Sequence, residues 1–331
     1  MKNKNHKPII IISVALGLML TIINGCSNEA DLKNKPKFVA VSNDSDPLEG
    51  SDKAIYSIDG IKWFKTTLPD KGSWRSVCYG KGKFVAVNQT QDVAAYSEDG
   101  IKWELTELPE ISYAITYGKG KFVAAAGDKA LYSKDGINWG KAKMPGEWGW
   151  TEIFYGKDKF VALSWIDEGR YHAGIKNNEV AYSDDGISWN LASIPKIAIW
   201  ATICYGKNKF VAVPEDGDKA AYSYDGINWK LSTLPVKTSW RNVYYGNGKF
   251  IAIGHEGESG ATIAASSNDG INWTMSILPN NMYLTKVCYA DGKFVAVEDK
   301  NKAAYSNDGI NWTKTTLPLK AYWSSVCYGG N

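Results

Sequence analysis

Arginine, histidine and cysteine are scarce in this 331-residue chain, and each shortage excludes something. The histidines are His6, His172 and His255. Beyond the N-terminal segment only His172 and His255 remain, fewer ligands than a metal site needs. Of the five cysteines, Cys78, Cys204, Cys288 and Cys327 sit far apart, each just before a Tyr in a Val/Ile-Cys-Tyr context. That spacing has no zinc signature and suits small buried hydrophobes better than a disulfide framework. No phosphate loop, nucleotide fingerprint or nucleophile elbow occurs. No cofactor is expected. Helical periodicity is also missing beyond the N-terminal segment.

That segment differs from the rest. Lys2, Lys4 and Lys7 precede an apolar run from Ile9 to Ile23, then Asn24-Gly25-Cys26. The run is short for a spanning helix and reads as an export signal. It resembles a bacterial lipoprotein signal with Cys26 in the lipobox position, although Asn24 departs from the usual small residue. The resemblance implies cleavage before Cys26 and lipidation there. Residues 1–25 are then a signal peptide, 26–36 a tether and 37–331 the folded domain, held at the cell envelope outside the cytoplasm. Without the three signal lysines, 35 basic residues face 35 acidic ones. A net charge near zero gives no electrostatic case for nucleic-acid binding.

What the chain has in abundance is repetition. A Ser-x-Asp-Gly-x-x-Trp turn recurs seven times, from Ser57, Ser97, Ser133, Ser183, Ser223, Ser267 and Ser306. The Asp-to-Asp steps are 40, 36, 50, 40, 44 and 39 residues. Each unit contains four strand-like pieces, for example Trp74-Arg-Ser-Val-Cys-Tyr79, Lys83-Phe-Val-Ala-Val87, Ala94-Ala-Tyr-Ser97 and the piece holding Trp103. Glycine accepts the positive φ that a tight hairpin turn demands. The turn tryptophans, such as Trp63, Trp229 and Trp312, read as core plugs. Units of this length cannot bury their own faces and must stack.

The expectation is an all-β seven-bladed propeller of four-stranded antiparallel blades. Residues 37–41 lack a first strand before them, and residues 323–328 form a first strand without followers. Pairing of the N- and C-terminal strands would close the ring and leave no open edge. The turn resembles the Asp-box, or BNR, repeat of sialidase-like propellers over residues 37–331, at a spacing one residue tighter than the commonest. Sialidase-like activity would imply an arginine triad with a Tyr nucleophile, but Arg75, Arg170 and Arg241 are the only arginines, and two of them occupy equivalent repeat positions.

Strand order would put the uniform Gly-Lys-Gly-Lys turns at one end and the variable loops at the other. The variable loops run from Ser42 to Lys53, from Ser164 to Glu179 and from Gly254 to Thr262. The candidate ligand surface at that end is a broken aromatic ring of Trp74, Trp150, Trp200, Trp240 and Trp323, with Tyr113 and Tyr283. Arg75 and Arg241 beside it suit a carboxylate or phosphate. Trp165, Asp167, Arg170 and His172 form a polar insertion in the fourth repeat. Asp167, Glu168, Glu215, Asp216, Glu256 and Glu258 could supply the paired carboxylates of a glycosidase. The bottom lysines, among them Lys81, Lys157 and Lys207, would be solvated or face an anionic membrane to which the Cys26 lipid holds the chain.

The leading expectation is a monomeric, non-catalytic surface module that recognises a glycan or an extracellular protein. The alternatives are a glycoside hydrolase or lyase of the Asp-box type and an assembly factor for exported or membrane proteins.

Overall fold

A computed structural model describes residues 36–43, 50–146, 149–165, 178–256, 261–276, 284–298 and 300–330, with backbone alone for Trp165, Glu256 and Ala261. The signal segment, Cys26, Asp167, Glu168, Arg170, His172, Glu258 and Tyr283 lie outside the described residues. Among the described residues every regular element is a strand.

The repeated turn owes its shape to one carboxylate. In the fifth repeat Asp225 Oδ1 accepts the Ile227 and Asn228 N–H groups at 2.9 and 2.8 Å, and Oδ2 accepts the Asn228 side chain at 2.8 Å. Ser223 Oγ donates to Asp225 at 2.9 Å and accepts the Gly226 N–H at 2.9 Å. Backbone groups that a sharp turn would orphan are therefore satisfied locally. Burial alone would raise the Asp225 carboxyl, but these hydrogen bonds prevail and hold it well below the ordinary range. The same balance brings Asp185 to about 2. The glycine takes φ 74 at Gly226 and comparable values in the other turns.

Hydrogen bonding corrects the expected sheet plan. The strands form five antiparallel sheets, three of four strands and two of seven, rather than seven separate four-stranded blades. The cause is continuity. Trp229–Gly246 (18 residues) and Thr313–Tyr328 (16 residues) each run unbroken from the last strand of one repeat into the first strand of the next. Each of these strands fuses two neighbouring units. The chain ends do meet, with Val39 opposite Cys327 and Ala40 opposite Val326. That pairing lies inside one seven-stranded sheet, which still ends in two edges, Leu284–Ala290 and Trp63–Gly72. The sheets are not hydrogen-bonded into one closed circle, and the expected edge-free ring is not formed.

Side-chain packing joins the sheets instead. The second-strand phenylalanines Phe38, Phe122, Phe160, Phe210, Phe250 and Phe294 are fully buried. Each core cluster straddles two consecutive repeats. Val39 and Val41 of the first repeat pack with Phe84, Trp74 and Trp103 of the second. Phe38 and Trp63 pack with Val295 and Val297 of the seventh. Along the first strands, a glycine lies under the tyrosine of the next repeat. A Cβ on Gly206 would stand 2.0 Å from the Tyr245 ring, and one on Gly118 would stand 2.2 Å from Tyr155.

The lysine-rich turns also work between repeats. Lys81 (φ 47) and Gly82 (φ 81) make a left-handed hairpin turn that suits asparagine better than lysine. The lysine head nevertheless has a fixed partner. Lys81, Lys157 and Lys207 donate to the carbonyls of Lys134, Tyr224 and Asn268 at 3.2, 2.6 and 3.0 Å, each in the Asp–Gly turn of the next repeat. Asn247 does the same to Asn307 at 3.0 Å. These groups clamp neighbouring units, which the solvated reading of the sequence misses.

Three outcomes are expected. The turn aspartates have depressed folded pKa values, so the native state binds fewer protons than the unfolded chain below its carboxyl pKa of about 3.9. Their stabilisation is complete above that value and is lost as pH falls toward about 2 and below. Urea midpoints across this range should drop steeply, and Asp225→Ala should remove about 1–3 kcal/mol at neutral pH. Gly206→Ala should cost about 1–3 kcal/mol through overpacking, with an unchanged urea m-value.

Candidate functional site

The first strands of all seven repeats line one cavity of about 930 Å³. A repeated irregularity decides what projects into it. In Trp74–Gly80 the pairing shifts between Trp74 and Ser76, leaving Arg75 as an extra residue. The same bulge isolates Thr151, Ala201, Arg241, Thr285 and Ser324. A bulge bends its strand and re-aims the side chain, so both the bulged residue and its successor reach the wall.

The successors Ser76, Glu152, Thr202, Asn242, Lys286 and Ser325, with Ala114 at the same repeat position in the unbulged third repeat, also line the cavity. Three of them bridge adjacent sheets. Ser325 Oγ accepts the Val77 N–H, Ser76 Oγ accepts the Ile115 N–H, and Asn242 Oδ1 accepts the Val287 N–H, at 3.2, 3.2 and 3.3 Å. Two others carry charge. Thr202 donates to Glu152 at 3.5 Å. The Lys286 ammonium is lowered from its ordinary value by burial in the cavity, while Glu152 opposes that shift and Arg75 and Arg241 add to it. Lys286 therefore shares one electrostatic environment with Glu152, Arg75 and Arg241.

The arginines are held differently. Arg241 forms an ion pair with Glu215 at 2.5 Å. Arg75 is exposed, with no ion pair among the described residues. His255 also lines the cavity and is 4% exposed. Burial, then the charge of Arg241, lowers it to about 4 against a backbone hydrogen bond at Leu284, so it is neutral at pH 7. The walls below carry Cys78, Cys288 and Cys327. Burial pushes these thiols up, which keeps them protonated and poor nucleophiles. Among the described residues no group of three or more His, Cys, Asp or Glu could hold a metal ion.

The tryptophans of the aromatic ring expected from the sequence are buried, with Trp200 and Trp323 bordering the cavity. Trp74, Trp150 and Trp240 are 0% exposed, Trp323 1% and Trp200 2%. Four of the indole N–H groups go to protein carbonyls: Trp74 to Asp70 at 3.1 Å, Trp150 to Pro145 at 3.1 Å, Trp240 to Gly217 at 3.1 Å and Trp323 to Lys300 at 3.0 Å. The physical reason is the bulge itself, since the residue before it turns into the core between repeats as the next one turns to the cavity. Arg75, Arg241 and Tyr113 do reach the cavity. Asp216 does not line it and lies 3.8 Å from Lys237.

Glu152, Lys286 and His255 were missed in the sequence. A signal for the first two was present. Both replace small or neutral residues at one repeat position, directly before Ile153 or Val287 of the first strand. His255 had none, because it belongs to a second-strand extension, Lys249–Glu256, that pairs with Ser239.

No protein-family model and no curated protein matches the chain. Solved structures do. A catalytically inactive histidine-to-alanine variant of virginiamycin B lyase from Staphylococcus aureus, with quinupristin, is similar at 12% identity, TM-score 0.64, over 86% of this chain and 90% of that one. A streptogramin B lyase is similar at 10% identity, TM-score 0.61, over 86% and 89%. Hydrazine synthase from Kuenenia stuttgartiensis is similar at 8% identity, TM-score 0.60, over 77% and 89%. Identities this low show the fold alone. The chain shares its fold, remotely, with the bacterial virginiamycin and streptogramin B lyases.

The burial of the tryptophans changes what their removal should do. Trp240→Ala should destabilise the fold by about 3–5 kcal/mol, as a large core truncation does, measured as a fall in the urea midpoint. Normal stability with lost ligand binding would instead return Trp240 to an exposed recognition role.

Proposed function

We propose that the protein is a lyase whose centre is the cavity walled by the first strands, acting on a ligand that carries a carboxylate or another carbonyl-bearing anionic group. The observation that carries this reading is the placement of Glu152, Arg75 and Arg241 in the cavity wall within electrostatic reach of Lys286. Lyase chemistry removes a proton next to a carbonyl, forms a carbon–carbon double bond and breaks the bond to a leaving group one carbon further on. It needs a base and a site for the negative charge that develops on the carbonyl oxygen. Arg75 and Arg241 are the groups for that oxygen, with Glu215 fixing Arg241 in place. Lys286, its pKa lowered, is the base that takes the carbon-bound proton. Neutral His255 is suited to hydrogen-bonding the ligand rather than to pairing with its charge. The likeness to lyases of the same architecture supports the reaction class without supplying the substrate.

A second reading is a binding module without chemistry. The Arg241–Glu215 pair favours it, since a pre-positioned guanidinium grips a carboxylate equally well when nothing is cleaved. Both readings carry the further proposal that the domain is exported and tethered through lipid on Cys26, a position that rests on the N-terminal sequence.

The test is turnover by purified protein against uronic-acid oligosaccharides and streptogramin B depsipeptides, following the unsaturated product by ultraviolet absorbance. Product should form, Lys286→Met should lower kcat by about 10²–10⁴, and Arg75→Gln by about 10²–10³. A ligand that binds tightly and is recovered intact would establish the binding module instead.

A further inference from the structure

We propose that the ligand is an acidic polysaccharide, and that its chain leaves the central cavity past Tyr322 into a lysine-lined side cleft. This rests on the reading that the cavity takes an anionic ligand, and it extends that reading from one charged group to a polymer.

The cleft measures about 170 Å³ and is lined by Lys53, Lys300, Lys320, Ser51, Asn43 and Tyr322, with Ala321 beside them. Asn43 and Tyr322 also line the central cavity, so the two spaces share a wall. Among the described residues no acidic side chain lines the cleft. None of its three lysines has an ion pair among the described residues, whereas Lys129, Lys141, Lys159 and Lys219 elsewhere do. Three lysines lining one small cleft favour an anion there. Lys320 and Lys300 are exposed and Lys53 is half-buried.

Two features show that the lysines are placed rather than scattered. Lys300 adopts φ 80, a conformation that costs a lysine energy and that glycine would take freely. Its carbonyl accepts the Trp323 indole N–H, which ties that strained residue to the fully buried core. Lys320 and Tyr322 alternate on the continuous strand Thr313–Tyr328, whose next residues, Ser324 and Ser325, line the central cavity. One strand thus carries residues of both sites.

Tyr322 decides between polymers. It is 46% exposed and sits where the two spaces meet. A flat aromatic face between two groups of cations suits a sugar ring, which offers an apolar face for stacking and charged groups at its rim. An acidic peptide would use the cations but has no such use for the ring. The recognised chemistry is therefore a run of pyranose rings bearing carboxylate or sulfate.

The experiment measures retention and titration of the full chain on polygalacturonate and dextran sulfate, with neutral dextran and polyglutamate as controls. Monomeric galacturonate serves as the probe of the central cavity alone. The wild-type protein should bind at least one of the two acidic glycans, with affinity falling steeply as salt rises. A preference between them identifies carboxylate or sulfate as the group read. The variant Lys53→Gln/Lys300→Gln/Lys320→Gln should weaken polymer binding at least tenfold and leave galacturonate binding unchanged. Tyr322→Ala should weaken the polymer several-fold more than it weakens galacturonate, and it keeps the test open if the triple variant does not fold. Arg75→Gln should weaken both probes. Polymer binding unaltered in the lysine and tyrosine variants, no binding to either acidic glycan, or polyglutamate bound as tightly as either would overturn the proposal. Loss of the polymer in the lysine variant with no effect of Arg75→Gln on either probe would uphold the cleft and reject the central site.

Discussion

The fold depends on the fit between each Asp–Gly turn and the second strand of the preceding repeat. A Cβ on Gly226 would lie 2.8 Å from Val161 and 3.2 Å from Phe210, and one on Gly270 would lie 2.8 Å from Val211 and 3.1 Å from Phe250. The glycine is required twice, for its positive φ and for the room it leaves. The Ser–Asp clamp holds the turn in the one shape that brings glycine to its neighbour. Buried valine and phenylalanine from two repeats then close over it. No repeat completes a core alone, so the units are stable as a set.

That arrangement explains how five separate sheets behave as one scaffold. Between sheets, backbone hydrogen bonds are isolated ones such as Trp150 N–H to the Gly127 carbonyl at 2.9 Å. The side-chain contacts there are tyrosine over glycine, lysine or asparagine to a turn carbonyl, and Ser76, Asn242 or Ser325 to the next strand's N–H. Each is small, on the order of 0.5–1.5 kcal/mol for a hydrogen bond, but they recur around the cavity. The same bulge that frees an N–H for such a bridge also turns Arg75 and Arg241 inward. Scaffold and site are built by one local distortion, repeated with different side chains.

The site was legible in part. Arg75 and Arg241 stood out because arginine is rare and both follow a first-strand tryptophan. Their tryptophans misled for the same reason, because a strand without a bulge would send alternate residues to opposite faces and leave no way to tell which face is wet. Glu152 and Lys286 are ordinary as single residues and become notable only when seven first strands are superposed.

Sequence alone determined the number of units, the positions of the strand pieces and the chemistry of every Asp–Gly turn, because those are local matters of backbone angle and nearest hydrogen-bond partner. Tertiary structure decided which strands fuse, which tryptophans vanish into the core, and which charges meet. Fusion depends on whether a connection stays extended between two repeats. Exposure depends on a one-residue shift in pairing. The approach of Lys286 to Glu152, Arg75 and Arg241 brings together residues from four repeats, and no local pattern specifies that.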